Sequence, residues 1–181
     1  MLEAAERLAS RFDLEVVAVR APGLPESLFA GASERGIRVV DQGLHPVLAS
    51  ADLAFVASGT ATLEAALCGA PMVVIYRTSA ASAAVGRLLI RVPWISLVNL
   101  VANEEVVPEL IQENATAARL ESEGERILAS SAVSSEMKER LAQVAAKLGP
   151  PGASDRAADA VLEAIERRAP AAKRAVGSAA R

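Results

Sequence analysis

Four short apolar runs rich in β-branched residues constrain the fold of this chain more than any other feature. They are LEVVAVR (14–20), GIRVVD (36–41), LAFVAS (53–58) and PMVVIYR (71–77). Each run has the length of a strand, and short loops or helical segments separate successive runs, a pattern typical of βαβ units and a parallel sheet. With 181 residues and a hydrophobic content of 52%, the chain has enough material for one domain with a sizeable core. We therefore predict an α/β fold, with a parallel sheet flanked by helices.

The chain changes character after residue 78. Residues 79–102 are apolar apart from a few polar side chains, and from EEVVPELIQ (104–112) onward the pattern predicts helices. The last segment, APAAKRAVGSAAR, is rich in alanine and basic residues and lacks a helical period. We predict a core at residues 1–103, carboxyl-terminal helices at 104–168 that pack on the core or on a partner chain, and a disordered basic tail at 169–181.

Composition excludes several functional classes. A net charge of −3 and an aromatic content of 3% argue against a nucleic-acid partner, which would require basic patches or aromatic stacking platforms. The single cysteine excludes a disulfide framework, favours a reducing compartment and, with one histidine, supplies no metal-ligand cluster. No apolar run approaches the roughly 20 residues of a membrane-spanning helix. We therefore expect no cofactor, no metal and no nucleic acid.

The loop Ser58-Gly59-Thr60 is the first candidate for a binding site. It follows the third predicted strand and opens a predicted helix at residues 60–69. Open parallel sheets bind ligands beyond the carboxyl ends of their strands, and the free N–H groups and positive dipole of a helix start suit an anion such as phosphate. The alternative is that Ser, Gly and Thr serve only to cap the helix.

Glu64 lies four residues after Thr60, on the same helix face. A carboxylate at this position can accept hydrogen bonds from the two hydroxyls of a ribose while the helix start holds its phosphates. A solvated surface glutamate is the alternative.

Two further polar side chains are candidates. Arg77 follows the fourth predicted strand and faces either a diphosphate or a sugar substituent, or else pairs with Glu64 or solvent. Asn99 interrupts an apolar run, where an unpaired amide would be costly, so it must bond to backbone or to a ligand. His45 is expected near a helix start or in solvent, Cys68 as a small buried hydrophobe. Asp41 ends a strand and is expected to be structural or to border the site.

Residues 79–95 are a candidate membrane contact. Arg87 and Arg91 are four residues apart and share a helix face, and Trp94 follows close by. Such a segment can rest on a membrane with its arginines toward anionic headgroups and its tryptophan at the interface. A core helix with arginines reaching the surface is the alternative.

Three segments together carry a family resemblance. ASGTATLEAALCGAPMVVIYR (57–77), SLVNLVAN (96–103) and VPELIQENAT (107–116) resemble the carboxyl-terminal half of the lipid-A-disaccharide synthase family, glycosyltransferases of GT-B architecture, with the likeness running from about residue 2 to about residue 166. The resemblance implies a Rossmann-like nucleotide-sugar domain in which Ser58, Gly59, Thr60 and Glu64 hold UDP, with Glu64 on the ribose. It also places Asn99 in the donor site, although Val98 replaces the family's usual proline.

The resemblance implies a reaction as well. The complete enzyme would transfer 2,3-diacylglucosamine from UDP-2,3-diacylglucosamine to 2,3-diacylglucosamine 1-phosphate with inversion. It would work in the cytoplasm on the inner-membrane surface of a Gram-negative-type bacterium, and form a homodimer through carboxyl-terminal helices. The family's catalytic carboxylate and acceptor domain belong to an amino-terminal half that we do not find here. We therefore expect a fragment, a split gene or a misassigned start, able to bind UDP but inactive alone.

Two alternatives remain at this point. One is a different UDP-sugar enzyme of GT-B type, such as an epimerase or the transferase that builds peptidoglycan precursors. The other is a truncated, non-catalytic module that binds a nucleotide or dimerises through its carboxyl-terminal helices.

Overall fold

The computed structural model describes residues 1–79, 92–150 and 152–178. Its strands are β1 (Val16–Val19), β2 (Ile37–Val40), β3 (Ala54–Ala57), β4 (Met72–Tyr76) and β5 (Glu109–Ile111). Its α-helices are α1 (Leu2–Ala9), α2 (Leu44–Ser50), α3 (Thr60–Leu67), α4 (Leu97–Ala102), α5 (Ala117–Leu128), α6 (Ser131–Lys147) and α7 (Ala153–Ser178). Short 3₁₀ helices lie at Glu26–Phe29, Ser33–Arg35 and Gln112–Asn114.

The strands form two parallel sheets rather than the single sheet that the sequence predicts. One sheet has the order β1-β2, and the other has the order β3-β4-β5. All the pairings are parallel, so the predicted α/β class with flanking helices is confirmed. All four predicted strands are present. The prediction of a helix at 104–112 is wrong, because residues 109–111 form β5 beside β4.

Strand β4 is the centre of the core. Met72, Val73 and Val74 are at most 1% exposed, because β3 and β5 cover the strand's two edges and helices cover its faces. Val74 aligns with Val56 on one side and with Glu109 on the other. This continuous apolar strand is typical of a parallel sheet that is buried on both faces.

Helix α3 ends where its sequence predicts. Gly69 adopts a φ of 69°, and its N–H donates to the carbonyl of Ala66 while the N–H of Ala70 donates to that of Ala65. A left-handed residue at this point favours glycine, and Pro71 then prevents the helix from continuing. The short α3 therefore returns the chain directly into β4.

The chain divides into two compact units, residues 1–147 and residues 148–181. Both sheets and helices α1 to α6 belong to the first unit, and α7 belongs to the second. Helix α7 includes residues 169–178, which belong to the segment 169–181 that the sequence predicts as a disordered tail. The division into domains at residues 103 and 168 stays a prediction.

Gly124 marks a close approach between α5, α1 and β3. A Cβ atom added there would lie 2.7 Å from Leu8 Cδ1, 3.0 Å from Leu53 Cδ2 and 3.3 Å from Phe55 Cζ. Leu8 is itself only 1% exposed, so it has little room to move away. The absence of a side chain at Gly124 therefore lets α5 pack directly on its neighbours.

Replacing Gly124 by alanine tests this packing. Overpacking costs about 1–3 kcal/mol and opposes the gain of about 1 kcal/mol that alanine brings inside a helix. We expect Gly124→Ala to lower the free energy of unfolding measured by urea denaturation. Ser122→Ala, on the exposed side of the same helix, should leave stability equal or higher. A Gly124→Ala variant more stable than the parent would contradict the packing argument.

Candidate functional site

The loop Ser58–Thr60 leaves the carboxyl end of β3 and enters α3. The N–H of Ser58 continues the sheet by donating to the carbonyl of Ile75 at 2.8 Å. Gly59 has φ 158° and ψ −162°, a conformation that suits glycine. A Cβ added to it would meet no atom within 4 Å. The loop is therefore open to the close approach of a ligand.

The side chains of this loop do not cap α3. The N-cap residue is Gly59, which has no side-chain oxygen, and the hydroxyl of Ser58 donates instead to the carbonyl of Ile95 at 3.2 Å. Buried Thr62 donates its hydroxyl back to the carbonyl of Gly59 at 2.8 Å. Thr60, at the first helical position, is exposed. The alternative in which Ser and Thr serve only as caps is therefore not the arrangement found.

Glu64 is paired with the single histidine. Its Oε2 atom lies 3.2 Å from Nε2 of His45, with the two side chains 37% and 69% exposed. His45 lies in the first turn of α2, as expected, and its carbonyl contacts Cys68 Sγ at 3.8 Å. Glu64 is thus a half-exposed carboxylate on α3 that contacts α2, not an isolated surface charge. Sequence reasoning missed this pair because its members lie on different helices.

Arg77 lies just beyond the carboxyl end of β4, at the same sheet edge as Ser58, and is exposed. Glu64 pairs with His45, so the predicted alternative of an Arg77–Glu64 pair is not observed. The next residue, Thr78, donates its N–H to Oε1 of Gln112 at 3.0 Å. Gln112 follows β5 with a φ of 50°, unusual for a residue with a side chain. It ties the chain after β4 to the chain after β5.

Asn99 is fully buried on α4, and protein groups occupy its amide. Its Nδ2 atom donates to the carbonyl of Val107 and to Oε1 of Glu109, both at 2.8 Å. Its Oδ1 atom accepts from the N–H groups of Val106 at 2.8 Å and Val107 at 3.0 Å. The sequence left backbone groups and a ligand as alternative partners of the Asn99 amide. In the structure, its partners are backbone groups and the carboxylate of Glu109.

Glu109 is the site residue that sequence reasoning missed. Its carboxylate accepts from the N–H of Ile95 at 2.8 Å, from the N–H of Ser96 at 2.9 Å and from Asn99 Nδ2. Ser96 in turn caps α4, since its side chain accepts from the N–H of Asn99. The signal was a lone acidic residue within the apolar run VPELI, which the helix prediction concealed.

The structure describes one of the three candidate membrane residues. Arg87 and Arg91 lie outside the described residues, and Trp94 is half-buried. Among the described helices, none is both long and apolar enough to cross a membrane. In the same part of the chain, no group of three His, Cys, Asp or Glu side chains is placed to hold a metal ion.

Two other features lie away from this loop. A cavity of about 290 Å³ is lined by residues of the segment before β5 and of α5 and α6, and therefore lies toward the amino end of β5.

At the carboxyl ends of β1 and β2, Arg20 Nε contacts Asp41 Oδ1 at 2.6 Å. This hydrogen bond lowers the pKa of the Asp41 carboxyl below its ordinary value. Asp41 is thus tied to its own sheet.

Comparison with known proteins gives a consistent result. The family model described as lipid-A-disaccharide synthetase matches residues 28–163. The lipid-A-disaccharide synthases of Myxococcus xanthus, Anaeromyxobacter dehalogenans and Geobacter sulfurreducens are 43%, 42% and 40% identical to this chain. These alignments cover 91%, 90% and 91% of this chain and 44% of each relative. The chain therefore spans less than half the length of these relatives.

Removing the Asn99 amide tests the buried network. Asn99→Ala leaves two N–H groups and a carbonyl without this partner and removes one of the three donors to the Glu109 carboxylate. Each unsatisfied buried group costs about 1–3 kcal/mol. We expect a loss of at least about 3 kcal/mol in the free energy of unfolding, measured by urea denaturation. Asn114→Ala, at an exposed position, is the control and should change stability little. Equal stability of the two variants would contradict the network's importance.

The Arg20–Asp41 pair predicts a pH effect. Since the pKa of Asp41 is depressed in the folded chain, the pair stabilises the fold above the ordinary pKa of aspartate. That contribution is lost as the pH falls through the depressed value. We expect Arg20→Gln to raise the pKa of Asp41, as followed by NMR titration of its carboxyl group. Arg38→Gln, which breaks the pair with Glu15 on the same sheet, should leave the pKa of Asp41 unchanged. An unshifted Asp41 in Arg20→Gln would refute the assignment.

Proposed function

This chain belongs to the lipid-A-disaccharide synthetase family, and we propose from that membership that it is the donor-nucleotide half of a glycosyltransferase. Membership decides against the alternative of another UDP-sugar enzyme of GT-B type. The observation that carries the proposal is the open strand-to-helix loop Ser58–Thr60, followed one turn later by a half-exposed carboxylate at Glu64.

The diphosphate of UDP binds at the start of α3 in this proposal. The first N–H groups of a helix have no partner within it, and the helix dipole favours a negative charge at that end. The N–H of Thr62 already donates to the carbonyl of Gly59 at 3.1 Å, so the phosphates are proposed to bind the N–H groups that precede it. The open space beside Gly59 supports a close approach of the phosphates, and the exposed hydroxyl of Thr60 supplies another donor. Ser58 shapes the loop, since its hydroxyl already bonds to Ile95.

Glu64 holds the ribose. Its position, four residues along α3, sets its Cα about 6 Å further along the helix axis than that of Thr60. A carboxylate there is placed beyond the phosphates and offers acceptors to two sugar hydroxyls. The neighbouring His45 Nε2 lies 3.2 Å from one of the two carboxylate oxygens of Glu64. Arg77, exposed at the same sheet edge, faces the diphosphate or a substituent of the sugar.

In this proposal, Asn99 supports the donor site through buried hydrogen bonds and does not contact the nucleotide. Its amide is fully buried and bonds to the backbone of Val106 and Val107 and to Glu109, which supports a role in holding the segment between α4 and β5. In this proposal the helices from α5 to residue 168 pack on the core or on a partner chain. The exposed apolar side chains of Val161, Leu162 and Ile165 on α7 support a homodimer.

The complete reaction is transfer of 2,3-diacylglucosamine from UDP to the 6-hydroxyl of 2,3-diacylglucosamine 1-phosphate. The acceptor oxygen forms a bond to the anomeric carbon with inversion, the bond from that carbon to UDP breaks, and the acceptor's proton passes to a base. The start of α3 stabilises the negative charge of the departing UDP. The name of the relatives, lipid-A-disaccharide synthase, supports this reaction.

In this proposal, the complete enzyme acts at the surface of the inner membrane. The acylated substrates are expected to lie there, and Arg87, Arg91 and Trp94 are the proposed contacts with it. We propose that the protein associates peripherally with the cytoplasmic side of this membrane in a Gram-negative-type bacterium.

A calorimetric titration with UDP tests the nucleotide site. We expect the full chain to bind UDP and to bind 2′-deoxy-UDP more weakly, because Glu64 recognises the ribose hydroxyls. Glu64→Gln should weaken UDP binding about 10- to 100-fold, from about 1.5–3 kcal/mol for a hydrogen bond to a charged group. It should also lose the preference for UDP over the deoxy analogue.

Glu139→Gln is the matched control, since it neutralises an exposed helix glutamate on α6 and should bind UDP as the parent does. A folded parent that does not bind UDP would overturn the proposed function. A Glu64→Gln variant with the parent's affinity and preference would overturn the role of Glu64.

A further inference from the structure

We propose that Glu109 is a positioning residue for nucleotide binding, which fixes the Ser58 loop through the backbone of Ile95. The inference rests on the proposed function and extends it to a residue that does not itself contact UDP. It follows from the hydrogen bonds that join β5, the start of α4 and the end of β3.

Three donors converge on the Glu109 carboxylate. Oε2 accepts from the N–H of Ile95, while Oε1 accepts from the N–H of Ser96 and from Nδ2 of Asn99, all at 2.8–2.9 Å. Hydrogen bonds to an ionised acceptor are stronger than neutral ones. The backbone of two consecutive residues is therefore fixed against strand β5.

Ile95 passes this constraint to the candidate site. Its N–H donates to Glu109, and its carbonyl accepts the hydroxyl of Ser58 at 3.2 Å. Both polar groups of a single residue are thus engaged, one with β5 and the other with the loop after β3. Since β5 and β3 lie on opposite sides of β4, this link crosses the sheet from the first residue of β5 to the residue that follows β3.

The link ends on the residue that sets the geometry of the loop. Ser58 also donates its N–H to Ile75, so the backbone and the side chain of Ser58 are held by different partners. Gly59 and the start of α3 follow directly. A loop fixed in this way presents the N–H groups of α3 without rearrangement, which reduces the entropic cost of binding.

The chemistry requires a carboxylate at position 109. Two oxygens with several lone pairs accept three hydrogen bonds, whereas a glutamine would keep one oxygen and place an NH₂ group against a backbone donor. The carboxylate of Glu109 also lies at the start of α4, where the helix dipole favours a negative charge. Glu109→Gln is therefore nearly isosteric yet breaks the link.

A purely structural role is the competing explanation. Glu109 would then stabilise α4 and β5, and its loss would lower stability while leaving the UDP affinity of the folded chain unchanged. A double-mutant cycle separates the two explanations, because positioning through Ser58 makes the effects of the two residues non-additive.

The experiment measures UDP affinity by calorimetry for the full chain, Glu109→Gln, Ser58→Ala and the double variant, with the folded fraction checked by circular dichroism. We expect Glu109→Gln to weaken UDP binding about tenfold, as for the loss of one hydrogen bond. The double variant should bind no more weakly than the weaker of the two single variants. Ile127→Val, a core change in α5, is the control that lowers stability without altering affinity.

A second readout does not depend on UDP. Amide hydrogen exchange of residues 58–62 should be faster in Glu109→Gln than in the parent, and unchanged in Ile127→Val. Glu109→Asp, which keeps the charge but shortens the side chain, replaces Glu109→Gln in the cycle if the latter does not fold.

The outcomes are distinct. A folded parent that does not bind UDP overturns the proposed function, and with it the role of Glu109 in nucleotide binding. If the parent binds UDP but Glu109→Gln binds equally well, or if the two changes add, only the positioning role is overturned. Non-additive weakening together with faster exchange at 58–62 supports it.

Discussion

The buried bonds between Asn99 and Glu109 are the constraint on which one edge of the three-stranded sheet depends. Helix α4 has only six residues and β5 has three, and neither length is stable alone in water. The amide of Asn99 fixes the loop after α4, and the carboxylate of Glu109 fixes the residues before it. Among the described residues, no buried side-chain polar atom lacks a partner. These two short elements are therefore stable because each supplies the partners that the other needs.

The candidate site contains side chains of two kinds, exposed ones that a ligand can reach and a buried one that is bonded to protein groups. Thr60, Glu64 and Arg77 are exposed or half-exposed at the carboxyl edge of the sheet and remain accessible to a ligand. Asn99 is fully buried, and its partners are backbone groups and Glu109. In the proposed nucleotide site, groups of the first kind need a rigid support, because a loop that must order itself on binding loses affinity. Side chains of the second kind provide that support.

The sequence predicted the parts of the fold that depend on local pattern. The four β-branched runs became strands, and Gly69 followed by Pro71 ended α3, because these signals act within a few residues. Strand β5 was predicted as a helix because its three residues carry too little pattern. The arrangement in two sheets was also missed, since strand pairing is decided by tertiary contacts.

The candidate site shows the same division between local and tertiary information. The cost of burying an amide identified Asn99 as a residue that needs partners, but not which partners, because Glu109 reaches it only after the chain has folded back into β5. Likewise the position of Glu64 on α3 followed from its spacing, while its contact with His45 depends on how α2 packs against α3. In this chain, the two polar residues Asn99 and Glu109 inside apolar runs belong to one buried network. Asn99 and Glu109 both occur in such runs, so the sequence indicates that each needs a buried partner, and the pairing of β5 with β4 brings the two together.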